Sequence, residues 1–167
     1  MDRPPLPGRR RLVCALCAAM ALAGCSFSPV YAPGHSGAAL PGNVVVVQPS
    51  GELGYWITQQ LEDRFGPPID PRYRLTMALS AKRERVAVTP AQTTTRYNLV
   101  ASADYRLEEI KSGKTAASGS VDGFTSYSAA GSVVATRAAQ GDAFRRLSVI
   151  ITDKMLLDLF AAPGLAE

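Results

Sequence analysis

The sequence predicts an α/β, or α+β, two-layer sandwich: a four-stranded mixed sheet with two helices on one face, in the order β-α-β-β-β-α. Three observations carry this. Three consecutive runs between residues 72 and 127 alternate apolar and polar side chains at period two, as strands with one covered and one wet face do. Apolar residues recur every four positions from Leu53 to Phe65, the spacing of one helix face. Near the end of the chain a further helical pattern runs for 29 residues, from Val133 to about Ala161.

Taken in order, Asn43 to Gln48 holds four consecutive valines and stops at Pro49. β-Branched side chains favour a pleated surface, so this reads as a strand buried on both faces. Ser50 can cap the next element, with Glu52 in the first turn where the helix dipole favours an anion. Leu53, Ile57, Leu61 and Phe65 then form a stripe with Trp56 beside it, while Thr58, Glu62 and Asp63 are expected to point away. Gly66-Pro67-Pro68 ends this helix of about 13 residues.

From Arg72 the period becomes two, with Tyr73, Leu75, Met77, Leu79 and Ala81 on one face. Tyr97, Leu99, Ala101, Ala103, Tyr105 and Leu107 repeat the pattern, Ile110 to Lys114 makes a turn, and Thr115 to Tyr127 forms a third strand. That third strand alternates less cleanly because of Ala117, Gly119, Val121 and Gly123. Short connections imply an antiparallel meander, and a crossover helix makes the first two strands parallel if they are neighbours. Ser132 can cap the last helix and Pro163-Gly164 can close it. Its apolar residues include Ala139, Ala143, Leu147, Ile150, Ile151 and Leu157, and Gly141 admits a kink or a stop.

The alternation breaks after Ala81: strict phase turns Arg83 and Arg85 inward and Val86 and Val88 outward. Either a bulge near Lys82-Arg83 restores the phase, or the hairpin extends beyond the region the helices cover. In both cases Lys82, Arg83, Arg85 and Arg96 gather at one end of a β-hairpin. One reading is a solvated charged edge that discourages strand addition. The other is an anion site, because guanidinium groups grip phosphate bidentately.

The amino terminus adds a second layer. Arg9-Arg10-Arg11 precede an apolar run of twelve residues, Leu12 to Ala23, too short for the ~20 residues of a bilayer span. Leu22-Ala23-Gly24-Cys25 resembles the lipobox of bacterial lipoproteins, in which the cysteine is acylated, with palmitate among the chains, and becomes the first mature residue. Residues 1–24 then form a signal peptide, 25–42 a lipidated flexible leader rich in Gly, Pro, Ala and Ser, and 43–167 the folded domain. Phe27, Val30 and Tyr31 either dock that leader on something or are incidental.

Four arginines leave with the signal, so the formal charge falls from +4 to about +1, a poor match to nucleic acid. Cys14 and Cys17 leave too, His35 is the sole histidine, and the carboxylates Glu52, Glu62, Asp63, Glu108 and Glu109 show no acid–base pairing. The expectation is a protein without catalytic residues, metal or cofactor.

Cys25 followed by Ser26-Phe27-Ser28-Pro29-Val30-Tyr31 resembles the start of LPS-assembly lipoproteins of the LptE family, commonly Gly-Cys-Gly-Phe-x-Pro-Leu-Tyr. Cys25, Phe27, Pro29 and Tyr31 match, whereas Ser26 and Val30 depart from the pattern. The element order and length agree with that family over nearly the whole mature chain. The resemblance implies a lipid anchor on the periplasmic side of the outer membrane, where Ser26 is not the aspartate of inner-membrane retention. It also implies a heteromeric complex with a β-barrel LPS translocon of the LptD type, which the protein plugs and helps to assemble, and binding of lipopolysaccharide. Lys82, Arg83, Arg85 and Arg96 are the candidates for LPS on chemistry alone, since lipid A and core phosphates are anionic. The rivals are an auxiliary lipoprotein of a periplasmic lipid or solute transporter, a wall-binding structural lipoprotein and an unrecognised hydrolase.

Overall fold

A computed structural model describes residues 36–88, 94–162 and 165. The elements are α1 (Ser36–Ala39), β1 (Val44–Val46), α2 (Glu52–Phe65), β2 (Tyr73–Val88), β3 (Thr94–Glu109), β4 (Thr115–Ser128) and α3 (Val133–Ala161). The sheet runs β1-β2-β3-β4, with β1 parallel to β2 and the other pairs antiparallel. The mixed sheet with two main helices in the order β-α-β-β-β-α is therefore as the sequence predicts.

One face of the sheet is buried because alternation puts its apolar residues there in register. Leu75 lies opposite Leu107, and Ala103 opposite Val121, all 6 % exposed or less. Against them pack the α2 stripe of Leu53, Ile57, Leu61 and Phe65 and the α3 residues Ala143, Leu147, Ile151, Met155, Leu156 and Leu159. Each large side chain so buried contributes about 1.5–3 kcal/mol relative to an exposed one. The small residues of β4 explain its imperfect alternation. A Cβ on Gly123 would come within 2.9 Å of Ile150 Cγ2, so its absence lets α3 lie close. α3 continues unbroken through Gly141, and the Ser132 hydroxyl caps it by accepting from the Ala135 N–H at 3.2 Å.

Several expectations need correction. The β1 strand is not buried on both faces: it is a three-residue edge in which only Val44 is buried, and Val47 is 46 % exposed. Ser50 does not cap α2. Gly51 occupies that position at φ 91°, open to glycine at little cost, and no side chain caps the helix. Thr58 does not point to solvent but is 3 % exposed, and Leu157, expected inside, is 69 % exposed. The buried arc of α2 is wider than one stripe and takes in Gly54 and Thr58, while the buried face of α3 runs through Ser148, Ile151, Thr152, Met155, Leu156 and Leu159 and leaves Leu157 outside it.

Packing starts before residue 43. Leu40 is fully buried, the Gly42 N–H donates to Phe65 O at 2.7 Å, and Asn43 Nδ2 donates to Ala39 O at 3.1 Å. The signal, Cys25, Phe27, Val30, Tyr31, His35, Pro90 and Pro163-Gly164 lie outside the described residues.

Candidate functional site at the hairpin end

The β2–β3 hairpin keeps strict register from Tyr73↔Glu109 to Arg85↔Tyr97, and shifts only between Arg85 and Val88. No bulge falls at Lys82-Arg83. The phase stays intact and residues 81–86 are all exposed, so β2 runs past the helix cover here, whereas Leu99 of β3, opposite Arg83, is still only 3 % exposed.

That register sorts the four basic candidates. Arg83 pairs with Leu99 and Arg85 with Tyr97, so both share the face that carries the core. Lys82 pairs with Val100 and Arg96 with Ser128, which places them on the opposite, open face. The four gather at one end of the hairpin, as expected, but as two pairs on two faces instead of one cluster.

On the inner side a layered arrangement forms that the sequence reading missed. The Arg83 guanidinium lies 4.8 Å over the Tyr97 ring, which stacks on Tyr127 with centroids 5.5 Å apart and planes 23° off parallel. Tyr127 is 4 % exposed, and its hydroxyl has no partner in full hydrogen-bonding geometry. It is still near enough to Arg83 to raise the guanidinium pKa above its ordinary value, with Tyr97 adding to the effect. An exposed arginine seated over an aromatic ring still offers guanidinium donors to solvent, and this chemistry suits phosphate. The signal for the pair was the placement of Tyr97 and Tyr127 on inward positions of their strands. Only the register, set by the turns, brings them together.

The open face is polar and lightly built. Thr76, Ala78, Asp104, Arg106, Ser118 and Ser120 line a shallow depression of about 560 Å³ there, and Phe124, 66 % exposed and opposite Val100, is an apolar exception on the same face. Among the described residues no three His, Cys, Asp or Glu side chains come together, and no helix is long and apolar enough to cross a membrane.

Among the described residues, then, an open α+β sheet is backed by two helices, with a basic hairpin end and a polar second face. The chain belongs to the LptE family, described as lipopolysaccharide-assembly, which matches residues 43–159. Among solved structures it resembles a lipoprotein from Caulobacter crescentus, with 26 % identity, a TM-score of 0.64, and coverage of 75 % of this chain and 93 % of that one. It shares its fold with lipoprotein B of Nitrosomonas europaea at 12 % identity and TM-score 0.52, over 74 % of this chain and 86 % of that one. The rare lipoprotein B of Shewanella oneidensis aligns at 14 % identity and TM-score 0.47, over 69 % and 92 %. No curated protein matches the sequence.

Proposed function

We propose that this protein is an outer-membrane lipoprotein of the lipopolysaccharide export machinery. It is acylated at Cys25, seats in the lumen of an LptD-like β-barrel translocon, assists the assembly of that barrel and binds lipopolysaccharide. Membership of the lipopolysaccharide-assembly family over residues 43–159 carries this reading. The lipobox-like Leu22-Ala23-Gly24-Cys25 supports the anchor, since several acyl chains at about 0.8 kcal/mol per buried CH2 hold a small domain firmly at a membrane. The wet sheet face supports the barrel, because serine and threonine suit a polar lumen.

In this reading the protein performs no chemistry. Arg83 and Arg85, backed by Tyr97 and Tyr127, take anionic phosphates on one side of the hairpin, and Lys82 and Arg96 do so on the other. Depletion of the protein from its native cell tests the role. Folded translocon in the outer membrane and lipopolysaccharide at the surface should both fall, and unchanged levels of both would refute the proposal.

A further inference from the structure

The outer edge of β4 is the longest unpaired strand edge in the described sheet: β4 bonds to β3 alone, over 14 residues. In an antiparallel strand, alternate residues turn both backbone polar groups to the same side. The Ala129 N–H donates to Thr95 O, so odd-numbered residues here face β3 and even-numbered ones face outward. This turns the N–H and C=O groups of Ser118, Ser120, Asp122, Phe124, Ser126 and Ser128 away from β3, along the edge.

Two of these carbonyls are occupied by α3. Lys154 Nζ donates to Asp122 O at 2.6 Å, and Arg146 Nη2 donates to Ser126 O at 3.1 Å, with its Nε 3.5 Å from Thr125 Oγ1. Arg146 is itself held by Asp142, one turn earlier. The spacing is commensurate: eight helical residues rise about 12 Å, and four strand residues about 13 Å, so an antiparallel helix meets every fourth strand residue at every eighth of its own. Gly123 allows this close approach, since Ile150 and Ile151 stand where its Cβ would be. Asp158, one turn beyond Lys154, cannot donate to a carbonyl and instead accepts from the Tyr105 hydroxyl at 3.4 Å.

The guarded carbonyls lie symmetrically about Phe124, the exposed aromatic of the strand. A two-fold axis at Phe124 would pair two β4 edges antiparallel, bring Asp122 opposite Ser126 of the other copy, and set the two phenyl rings against each other across the strands. We propose that the β4 edge is a self-association surface for a second copy of this chain, and that Arg146 and Lys154 hold it closed by occupying the carbonyls of Ser126 and Asp122. Long, nearly uncharged edges otherwise invite strand addition, and β4 carries only Asp122 as a charge. With the guards in place, the unguarded stretch below Asp122 is too short to pair alone.

Sedimentation of the full chain in detergent tests this. The wild-type chain should remain monomeric, while Arg146→Met with Lys154→Met, which keeps the stems and removes the donors, should double the sedimenting mass with rising concentration. Adding Phe124→Pro, which removes an outward N–H without touching the bonds to β3, should restore the monomer. A natively folded double variant that stays monomeric overturns the proposal, as does a dimer that survives Phe124→Pro. If the double variant loses its native circular dichroism, Arg146→Ala with Lys154→Ala, which removes both donors in favour of the strongest helix former, must dimerise at high concentration; a monomer throughout again overturns it.

Discussion

Arg83 stands out among the residues because three contacts define it at once: a ring beneath it, a buried hydroxyl beside it and open solvent above. Charge reversal at Arg83 and Arg85 should weaken lipopolysaccharide binding by about tenfold or more, given ~1.5–3 kcal/mol for a charge-assisted hydrogen bond, with the fold intact. Titration of lipid A against the variant checks this, and unchanged affinity would return the pair to the role of a charged edge. Two buried hydroxyls carry a different prediction. Thr58 Oγ1 and Thr152 Oγ1 have no hydrogen-bond partner in the interior, so Thr152→Val should stabilise the domain by about 1 kcal/mol. The urea midpoint should rise at constant slope, and a fall would mean that the hydroxyl has a partner after all.

Among the elements, the junction of β3, β4 and α3 is the most tightly specified. Burial pushes the Tyr105 pKa up to about 12, and the Asp158 carboxylate beside it adds to the shift. The folded state therefore holds this proton after an unfolded tyrosine, at 10.0, has lost it. The resulting stability is complete below about pH 10 and disappears as pH rises through about 12. Tyr105→Phe should flatten that alkaline loss in urea melts across this window, whereas an unaltered slope would contradict the assignment. At the other end, α2 starts hard against the chain: a Cβ on Gly54 would sit 2.4 Å from Pro49 O, a backbone atom that cannot move aside. Gly54→Ala should cost about 1–3 kcal/mol, measured as a lowered urea midpoint.

These elements also show what a linear reading can and cannot supply. Period-two alternation revealed β2 and β3 because one covered face forces it, and the 29-residue α3 with its Ser132 cap followed from helical spacing and a capping hydroxyl. The start of α2 departs from the side-chain pattern because Gly51 at positive φ displaces Ser50 as the cap, a backbone choice that side-chain chemistry does not announce. At the site, residue type revealed the basic hairpin. Its division between two faces depended on register, which the turns and the shift after Arg85 determine. Tyr127 reaches Tyr97 only through pairing along the whole of β3 and β4.

For the whole molecule, a helix layer covers one sheet face, and among the described residues the other is open and polar, which suits a polar surrounding. Loss of the anchor should separate tether from domain: Cys25→Ala should release the protein from membranes by fractionation, unless the barrel retains it. Among possible measurements, native mass spectrometry of the detergent-extracted assembly bears most directly on the central claim. The account predicts one acylated chain bound to one large β-barrel protein, with lipopolysaccharide in the complex. A chain that flies alone, or with an inner-membrane ATPase, would contradict it.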